Sequence, residues 1–502
     1  MYGEYGEREL GGSSFTRARA GEFCLSCRHT SMVQLGCRPW NLSLISMIVL
    51  AFSNMLLTFL LLQSENCRSS SSGDYVQETN GVTEWDLGSK SETRQDEEVQ
   101  VSQQCSTHEF VEDGDILRMD PKLGRWDARR IYKTFDGVLT GSLFPRLSET
   151  HKVCLATQSS VERLHSIVQV AHHWTGPISL ALYAAGDDEF EVLQRYLAYL
   201  RKCYAPIRER IFVSLVLPKA RLPRRQPRSF DIPDSELDCA SPEYILKGLL
   251  KRIPSQHNVW RAQNVYPQNH LRNLARKNCQ TDYVFLTDVD VIPSYNLTRT
   301  LDSFLRSSDT CDKCAYVIPT YELDTRIRFP QNKSELVRLA KKGLARPFHE
   351  KVFIHNQFAT NFSKWILDVS PGFFGNKDHL KTGKVYVSHD VTNFELFYEP
   401  FYVAKDTVPS HDERFMGYGY TRNTQVYEMF VAGYQFKVLS PVFTGHWGLQ
   451  SKRGRPAWRE RQNNFNRNLF EAFKKEVFAR YMRDPLKLIK TQKSDRKSLK
   501  VH

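Results

Sequence analysis

The 502-residue chain is long enough for one large domain, or two of ordinary size, with length left over. Its residues are 41% hydrophobic and 12% aromatic, which excludes a mainly disordered protein. The formal net charge is +13 at pH 7, but the basic residues are spread out, and no zinc-finger spacing or aromatic RNA-binding motif accompanies them. The composition therefore predicts a globular protein that does not bind nucleic acid.

The segment 41–62, NLSLISMIVLAFSNMLLTFLLL, contains no charged residue. About 20 apolar residues are enough for one helix to cross a bilayer. The tail at residues 1–40 carries several arginines, and the positive-inside rule places such a tail in the cytosol. We therefore expect a single-pass signal anchor with the rest of the chain in the lumen. A buried core helix and the apolar core of a cleaved signal are the alternatives.

A Ser-rich and acidic sequence, including SENCRSSSSGD and SKSETRQDEE, follows the anchor. Such a composition buries too little apolar surface to offset the entropy of ordering. Residues 63–124 are therefore predicted to form a largely disordered stalk. A luminal globular domain is expected over residues 125–485, and a basic tail over residues 486–502.

Cysteines and glycosylation sequons agree with a luminal domain. Eight of the eleven cysteines lie beyond residue 62, where disulfides can persist. Cys311 and Cys314 form a single CxxC without a second pair at zinc spacing, so a local disulfide and two free thiols both remain open. Asn-x-Ser/Thr sequons begin at Asn296, Asn332 and Asn361. Both features are typical of a chain that enters the secretory pathway.

Short apolar runs alternate with helical spacing from residue 152 onward. The predicted strands are 152–157, 178–184, 211–217 and 283–286, and the predicted helices are 161–173, 187–203 and 269–277. This alternation predicts βαβ units, that is, an α/β fold with a mixed, mainly parallel sheet flanked by helices. After about residue 319 the pattern is irregular, and a basic helix is expected around residues 463–481.

An acidic motif, Asp288-Val289-Asp290, directly follows the apolar run YVFL. The ligand crevice of an open α/β sheet lies beyond the carboxyl ends of its strands. Alternate residues of an extended segment point to one side, so both carboxylates could converge on one cation. Oxygen ligands suit Mg²⁺ or Mn²⁺, which would bridge the phosphates of a nucleotide diphosphate. A turn with two exposed aspartates is the alternative.

His446, in the sequence FTGHWG, is a candidate to complete the metal's ligand set through an imidazole nitrogen. A buried structural histidine is the alternative. Asp412 and Glu413, in the segment HDERF, are candidate bases for transfer of a sugar with inversion, or else an exposed helix start. Arg272 and Asn273 could bind phosphates or a uracil edge of a nucleotide, or could form a solvated helix face.

Several segments occur together in a fixed order. They are VYPQNHLRNLARKN, YVFLTDVDVIPS, NKSELVRLA, RPFHE, TNFSKW, YEPFYVAKDTVPSHDERFMGYGYTRNTQVYEMFVAGYQFKVL and FTGHWG. In this order they resemble glycosyltransferase family 49 over roughly residues 152–481. The resemblance implies a GT-A fold, a UDP-glucuronate donor, Mn²⁺ and inversion to a β1,4 linkage on a xylose-ended acceptor. That reaction belongs to O-mannosyl glycan synthesis of the α-dystroglycan type.

The resemblance also implies roles for single residues. Asp288 and Asp290 match the family's metal-binding acidic pair, and His446 falls at its metal histidine. Asp412 lies in the family's DERF segment, and we infer that Asp412 is the base, with Glu413 next and Glu399 third.

Function and partners follow as expectations. The chain is expected in the Golgi membrane as a single-pass type II protein, acting on a glycan acceptor of a glycoprotein. A homodimer, or a complex with another Golgi transferase, is the expected assembly. An N-acetylglucosaminyltransferase acting on poly-N-acetyllactosamine and a catalytically silent glycan-binding protein are the alternatives. A basic insertion, residues 221–228, departs from the family and leaves targeting and partners open.

Overall fold

The computed structural model describes residue 55 and residues 116–230, 232–233, 237–307, 311–368, 384–451 and 457–489. The chain divides into two compact units, residues 1–104 and 105–502, and every described residue except Met55 belongs to the second. The predicted tail, the anchor apart from Met55 and most of the stalk lie outside the described residues. Within the described ranges no helix is long and apolar enough to cross a membrane. The anchor therefore stays a prediction.

The elements are numbered in chain order. The strands are β1 (Arg125–Trp126), β2 (Tyr132–Thr140), β3 (Val153–Ser160), β4 (Ile178–Tyr183), β5 (Ile211–Pro218), β6 (Tyr283–Leu286), β7 (Ile292–Pro293), β8 (Cys314–Val317), β9 (Thr320–Leu323), β10 (Ala345–Pro347), β11 (Tyr386–Asp390), β12 (Tyr402–Lys405), β13 (Gln435–Ser440) and β14 (Thr444–Trp447). The helices are α1 (Phe144–Thr150), α2 (Ile167–His173), α3 (Gly186–Cys203), α4 (Ala205–Arg210), α5 (Pro242–Leu250), α6 (Ser255–Gln263), α7 (Gln268–Lys277), α8 (Leu297–Ser307), α9 (Lys333–Lys341), α10 (Phe362–Leu367), α11 (Asn423–Val431) and α12 (Ala457–Tyr481).

The larger sheet has the strand order β1-β2-β5-β4-β3-β6-β12-β8-β13-β11. Its centre, β5-β4-β3-β6, is parallel, as the alternating sequence pattern predicted. Towards one edge, β12 lies antiparallel between β6 and β8, and at the other edge β1 and β2 are antiparallel. The mixed α/β fold is thus confirmed, whereas parallel pairing in the large sheet is limited to its centre and to the pair β8 and β13.

Helices cover both faces of the parallel centre. On one face, Leu271 and Leu274 of α7 belong to the same buried cluster as Ala156 of β3. On the other face, α2, α3 and α8 share a buried cluster with residues of β3 to β6. Strands β3 and β4 therefore consist almost wholly of buried residues, which explains their continuous apolar runs.

Sequence and structure agree best in the parallel half. The predicted strand 283–286 and helix 187–203 recur as β6 and α3. The predicted helix 161–173 begins as a 3₁₀ helix, Val161–Ser166, before α2. Beyond residue 319 the predicted basic helix recurs as α12, whereas the described strands and helices α9 to α11 were not revealed by the sequence pattern. These strands are only three to six residues long, too short to show a period.

A second, four-stranded sheet has the order β10-β9-β14-β7. In it β14 is parallel to β9 and antiparallel to β7. Strand β7 directly follows the acidic motif at the end of β6. The second sheet therefore joins the large sheet at the point where the sequence predicted a ligand site.

Candidate functional site

An acidic turn follows the parallel centre of the large sheet. Strand β6 is buried along its length, and the Thr287 amide donates to the Ala156 carbonyl of β3 (3.0 Å). The chain then turns, and the Val291 amide donates to the Asp288 carbonyl (3.0 Å). Asp288 and Asp290 therefore lie at the carboxyl end of β6, as the sequence predicted.

The second sheet brings His446 to this turn. Ile292 of β7 is paired with Gly445 of β14, so the next residue, His446, lies beside the acidic turn. His446 Nε2 is 3.5 Å from Asp290 Oδ2. A side chain at position 445 would clash, because a Cβ there would lie 2.7 Å from the ring of Phe329. Glycine thus permits the close packing that positions His446.

A carboxylate facing an imidazole suits a divalent ion such as Mn²⁺. The second ring nitrogen of His446, Nδ1, is buried and has no hydrogen-bond partner among the described residues. Nowhere in the described ranges do three or more His, Cys, Asp or Glu side chains form a metal-binding group. Asp290 and His446 therefore fit two positions of a metal's ligand set.

Two buried arginines hold Asp288. Arg422 donates from Nη2 to Asp288 Oδ1 (2.7 Å), and Arg272 Nη2 lies 3.5 Å from the same oxygen. Burial would raise the pKa of Asp288, but the charges of Arg422 and Arg272 outweigh burial and lower that pKa. Asp288 is thus an ionised carboxylate between two guanidinium groups. The structure brings Arg272 to the acidic turn, whereas its role in nucleotide binding stays a prediction.

A cavity of about 800 Å³ lies against Asp290 and His446. This volume is within the usual range for small-molecule sites. Basic and aromatic side chains from α5, from the segment after β3 and from β14 contribute to its walls: Arg163, His165, Tyr244, Lys247 and Trp447, with Glu243 as an acidic member. Cationic side chains in such a wall favour an anionic ligand.

Glu399 lies just before β12 and close to the arginine pair. Its carboxylate accepts a hydrogen bond from the Asn356 side-chain amide. Its own backbone amide donates to the Asn356 carbonyl (2.8 Å). Burial raises the pKa of Glu399, although the charges of Arg422 and Arg272 oppose that rise. The side chain is nevertheless half-buried rather than sealed from solvent.

Asp412 and Glu413 line a different cavity, of about 640 Å³, which shares no lining residue with the first. The Asp412 carboxylate accepts bonds from Arg414 Nε (2.9 Å) and Nη2 (2.6 Å). Arg414 also pairs with Glu476, and these hydrogen bonds to Glu476 and Asp412 raise the pKa of Arg414. The structure does not bring Asp412 or Glu413 to the cavity beside the acidic turn. Their role as bases stays a prediction without geometric support.

Asn273, on α7, bonds to the loop that contains these two carboxylates. Its Oδ1 accepts from the His411 amide (2.9 Å), and its Nδ2 donates to the His411 carbonyl (2.8 Å) and to Glu413 Oε1 (3.0 Å). Both polar atoms of the Asn273 side chain therefore fix the loop that contains Asp412. This geometry indicates a structural role, so the predicted nucleotide role of Asn273 gains no support.

Sequence reasoning missed Arg422. It follows Gly417 and Gly419, whose φ angles of +72° and +83° are ones that side chains rarely allow. Its guanidinium group lies over the ring of Phe401 (4.4 Å) as well as on Asp288. The sequence did contain a signal for Arg422. The residue ends a glycine-rich turn and directly precedes a buried helix.

Comparison with known proteins covers this whole region. Residues 152–482 match the family described as glycosyl-transferase for dystroglycan. Beta-1,4-glucuronyltransferase 1 of Homo sapiens is 33% identical over 368 residues, which cover 72% of this chain and 82% of that protein. The Danio rerio protein of the same name is 29% identical over 341 residues, covering 67% of this chain and 75% of that protein.

A more distant relative is the Homo sapiens xylosyl- and glucuronyltransferase LARGE1. It is 27% identical over 301 residues, which cover 60% of this chain and 31% of that protein. The family match includes the acidic turn, Glu399, Asp412 and His446. The site described above therefore lies within the part of the chain that resembles these proteins.

Proposed function

The chain belongs to the family of glycosyltransferases for dystroglycan and is a glucuronyltransferase, and from this premise we propose its donor, acceptor and stereochemistry. The donor is UDP-glucuronate, and the acceptor is a xylose-ended glycan of the O-mannosyl type found on α-dystroglycan. Transfer inverts the anomeric centre, forms a β1,4 linkage and depends on a divalent ion. Mn²⁺ is the ion proposed, with Mg²⁺ as the alternative.

The contact between Asp290 and His446 carries this proposal. Asp290 Oδ2 lies 3.5 Å from His446 Nε2, and Asp290 follows the carboxyl end of the parallel strand β6. Such ends are where open α/β sheets bind nucleotides. Arg163 and Lys247 line the adjoining cavity and suit an anionic donor. A GT-A organisation of the domain is part of the same proposal.

The proposed chemistry is an in-line displacement. An acceptor hydroxyl attacks the anomeric carbon while the bond from that carbon to the diphosphate breaks. A bound divalent ion would supply positive charge to the departing diphosphate. Asp290 and His446 would hold that ion, and Arg163 and Lys247 would attract the donor from solution. Arg422 and Arg272 keep Asp288 ionised at the edge of this site.

A donor panel tests the proposal directly. Full-length protein in detergent would be incubated with UDP-glucuronate, UDP-N-acetylglucosamine, UDP-xylose or UDP-galactose, with and without Mn²⁺. The acceptors would be a β-xyloside and poly-N-acetyllactosamine. We expect a β-linked glucuronyl xyloside from UDP-glucuronate alone, and no product when a chelator replaces Mn²⁺. Mass spectrometry identifies the product, and proton NMR gives its anomeric configuration.

Each other outcome supports a named alternative. Transfer from UDP-N-acetylglucosamine to poly-N-acetyllactosamine, without glucuronyl transfer, would replace the proposal with the second enzyme function. Stabilisation by UDP without turnover on any donor would identify a catalytically silent, glycan-binding protein. Undiminished transfer in chelator would remove the metal from the proposal.

The proposed setting is the Golgi membrane. The uncharged segment 41–62 would anchor the chain as a single-pass type II protein, and the catalytic domain would face the lumen. Disulfide-bonded cysteines in the described domain support an oxidising compartment. A homodimer, or a complex with another Golgi transferase, is the proposed assembly.

A further inference from the structure

An inverting transfer needs a carboxylate near the donor site that is free to accept a proton. The other candidate carboxylates already have side-chain partners. Asp288 is held by arginines, Asp290 faces a histidine, and Asp412, which lines the other cavity, is held by Arg414. Glu322, opposite His446 in the second sheet, is buried and paired with an arginine.

Glu399 differs from these carboxylates in its partners. The group that donates to its carboxylate, the Asn356 side-chain amide, is neutral. Among the described residues Glu399 forms no salt bridge, and its side chain is half-buried. Its position is therefore fixed, while its negative charge is not cancelled by a direct ion pair.

Strand pairing ties Glu399 to the acidic turn. Tyr402 of β12, three residues after Glu399, pairs with Leu286, the last residue of β6. Phe401 lies between Glu399 and Tyr402 in the sequence. Its ring packs against the guanidinium group of Arg422 (4.4 Å), which donates to Asp288 (2.7 Å). Glu399 thus lies on the segment next to the acidic turn without being one of the proposed metal ligands.

Exposed aromatic rings lie on the segment around Asn356, whose side-chain amide donates to Glu399. Phe353 and Phe358 are 37% and 53% exposed, and they flank Asn356 in the sequence. The ring of Phe353 lies 5.6 Å from that of Phe397, which precedes Glu399 by two residues. We name Phe353, Phe358 and Phe397 the aromatic shelf. Exposed aromatic surface beside a fixed polar group is typical of a ligand site, and the C–H face of a sugar ring can pack on it.

We propose that Glu399 is the general base of the transfer, and that the acceptor sugar lies on the aromatic shelf. The inference rests on the proposed glycosyl transfer and deepens it. The acceptor hydroxyl oxygen forms a bond to the anomeric carbon, while the bond from that carbon to the diphosphate oxygen breaks. The hydroxyl proton passes to the Glu399 carboxylate and from there to water, and UDP leaves with the electron pair of the broken bond.

The test compares Glu399→Gln with wild type in full-length, detergent-solubilised protein with Mn²⁺ and UDP-glucuronate. We expect kcat to fall by about 100- to 10,000-fold, the usual effect of losing a general base, with the Kd for UDP unchanged by calorimetry. Glu395→Gln is the matched control, because Glu395 lies on the same segment and its carboxylate bonds to the exposed side chain of His355 (3.1 Å). This control should keep kcat within a few-fold. A Glu399→Gln protein whose kcat stays within a few-fold of wild type would overturn the proposal.

Azide separates a base from a structural residue. An azide anion has no proton to lose, so it can attack the anomeric carbon of the donor without a base and release UDP. Glu399→Ala with azide should therefore form a β-glucuronyl azide, although it barely glycosylates the hydroxyl acceptor. Normal UDP binding without any azide product would show that Glu399 acts only through the structure.

A second variant applies if Glu399→Gln fails to bind UDP. Glu399→Asp keeps the charge but retracts the carboxylate, so kcat should fall by about 10- to 100-fold with normal UDP affinity. Full kcat in this variant would overturn the base assignment. If wild type itself transfers from none of the donors, the proposed function fails instead, so the two failures are distinguishable.

The same assay also tests whether the aromatic shelf binds the acceptor. Phe353→Ala should raise the KM for the acceptor by roughly 2- to 10-fold, which corresponds to the loss of one aromatic packing contact. The Kd for UDP should not change, because Phe353 lies on the acceptor side of Glu399. An unchanged acceptor KM would remove the shelf from the proposal.

Discussion

The two aspartates of the acidic motif have different surroundings. Sequence reasoning placed both on one side of an extended segment, where they would converge on one cation. The chain turns at Asp288, where Asp288 contacts Arg422 and Asp290 contacts His446. A turn does not keep the two-residue period of a strand, and the role of Asp288 as a second metal ligand stays a prediction.

The first prediction at the residue scale concerns Asp290. Asp290→Asn keeps the shape of the side chain but removes its charge, so the affinity for Mn²⁺ in the presence of UDP should fall at least about tenfold. Transfer should fall with it. Calorimetric titration of Mn²⁺ and the rate of product formation measure the two effects.

A matched control for this variant lies at the other end of the same strand. Asp282 precedes β6, is 62% exposed and pairs with Lys152 on the surface. Asp282→Asn should therefore leave both Mn²⁺ affinity and transfer near wild type. An Asp290→Asn protein that binds Mn²⁺ as tightly as this control would contradict the metal hypothesis.

At the scale of elements, the loop before α11 is held in place by its own side chains. Arg414 bridges Asp412 and Glu476 of α12, and Asn273 of α7 bonds to both sides of His411. The loop is thus bonded to two helices. The hydrogen bonds and ion pairs of Asp412 and Glu413 therefore give both residues a structural role that does not depend on catalysis.

A prediction follows for Asp412→Asn. The carboxylate is 15% exposed and is bonded by Arg414, so the loss of its charge should cost about 1–2 kcal/mol of unfolding free energy. We expect a lower Tm, while kcat should stay within a few-fold of wild type. Differential scanning calorimetry and the transfer assay provide the two values. If kcat instead fell by about 100-fold or more while the Tm did not change, the base would be Asp412 and not Glu399.

The elements also show what the sequence can and cannot reveal. The buried strands β3, β4 and β6 follow from apolar runs, and α3 and α7 from helical spacing, because these elements depend on local patterns. His446 is a candidate ligand from its sequence context and from the family resemblance, but its contact with Asp290 depends on the pairing of β14 with β7, which no local pattern encodes. The contacts of Arg422 and Glu399 join residues far apart in sequence, and no local pattern encodes them.

At the scale of the whole molecule, three disulfides lie in the described domain. Cys154 of β3 is bonded to Cys279 after α7, Cys203 is bonded to Cys239, and Cys311 is bonded to Cys314. The sequence left a local disulfide and two free thiols open for Cys311 and Cys314, and the structure has the disulfide. Such bonds persist in an oxidising compartment and are rare in the cytosol.

The sequons fit the same compartment. Asn296, Asn332 and Asn361 are exposed. Asn332 and Asn361 cap helices through Oδ1, which accepts from the amides of Glu335 (3.0 Å) and Lys364 (3.1 Å). A glycan attaches to the side-chain nitrogen, so these caps do not use the atom that would be modified. All three sites are therefore available for glycosylation if the domain enters the lumen.

The last prediction concerns the topology of the full-length chain. If segment 41–62 is a signal anchor, protease added to intact vesicles should remove only the tail at residues 1–40, and detergent should expose the rest. Glycosidase should lower the apparent mass of the protein, and Asn332→Gln should lower it by one glycan in an untreated sample. Thiol alkylation without reductant should spare the six disulfide-bonded cysteines, because a luminal domain keeps them oxidised. Digestion of the catalytic domain in sealed vesicles, or alkylation of those cysteines, would place the domain in the cytosol and contradict the proposed Golgi setting.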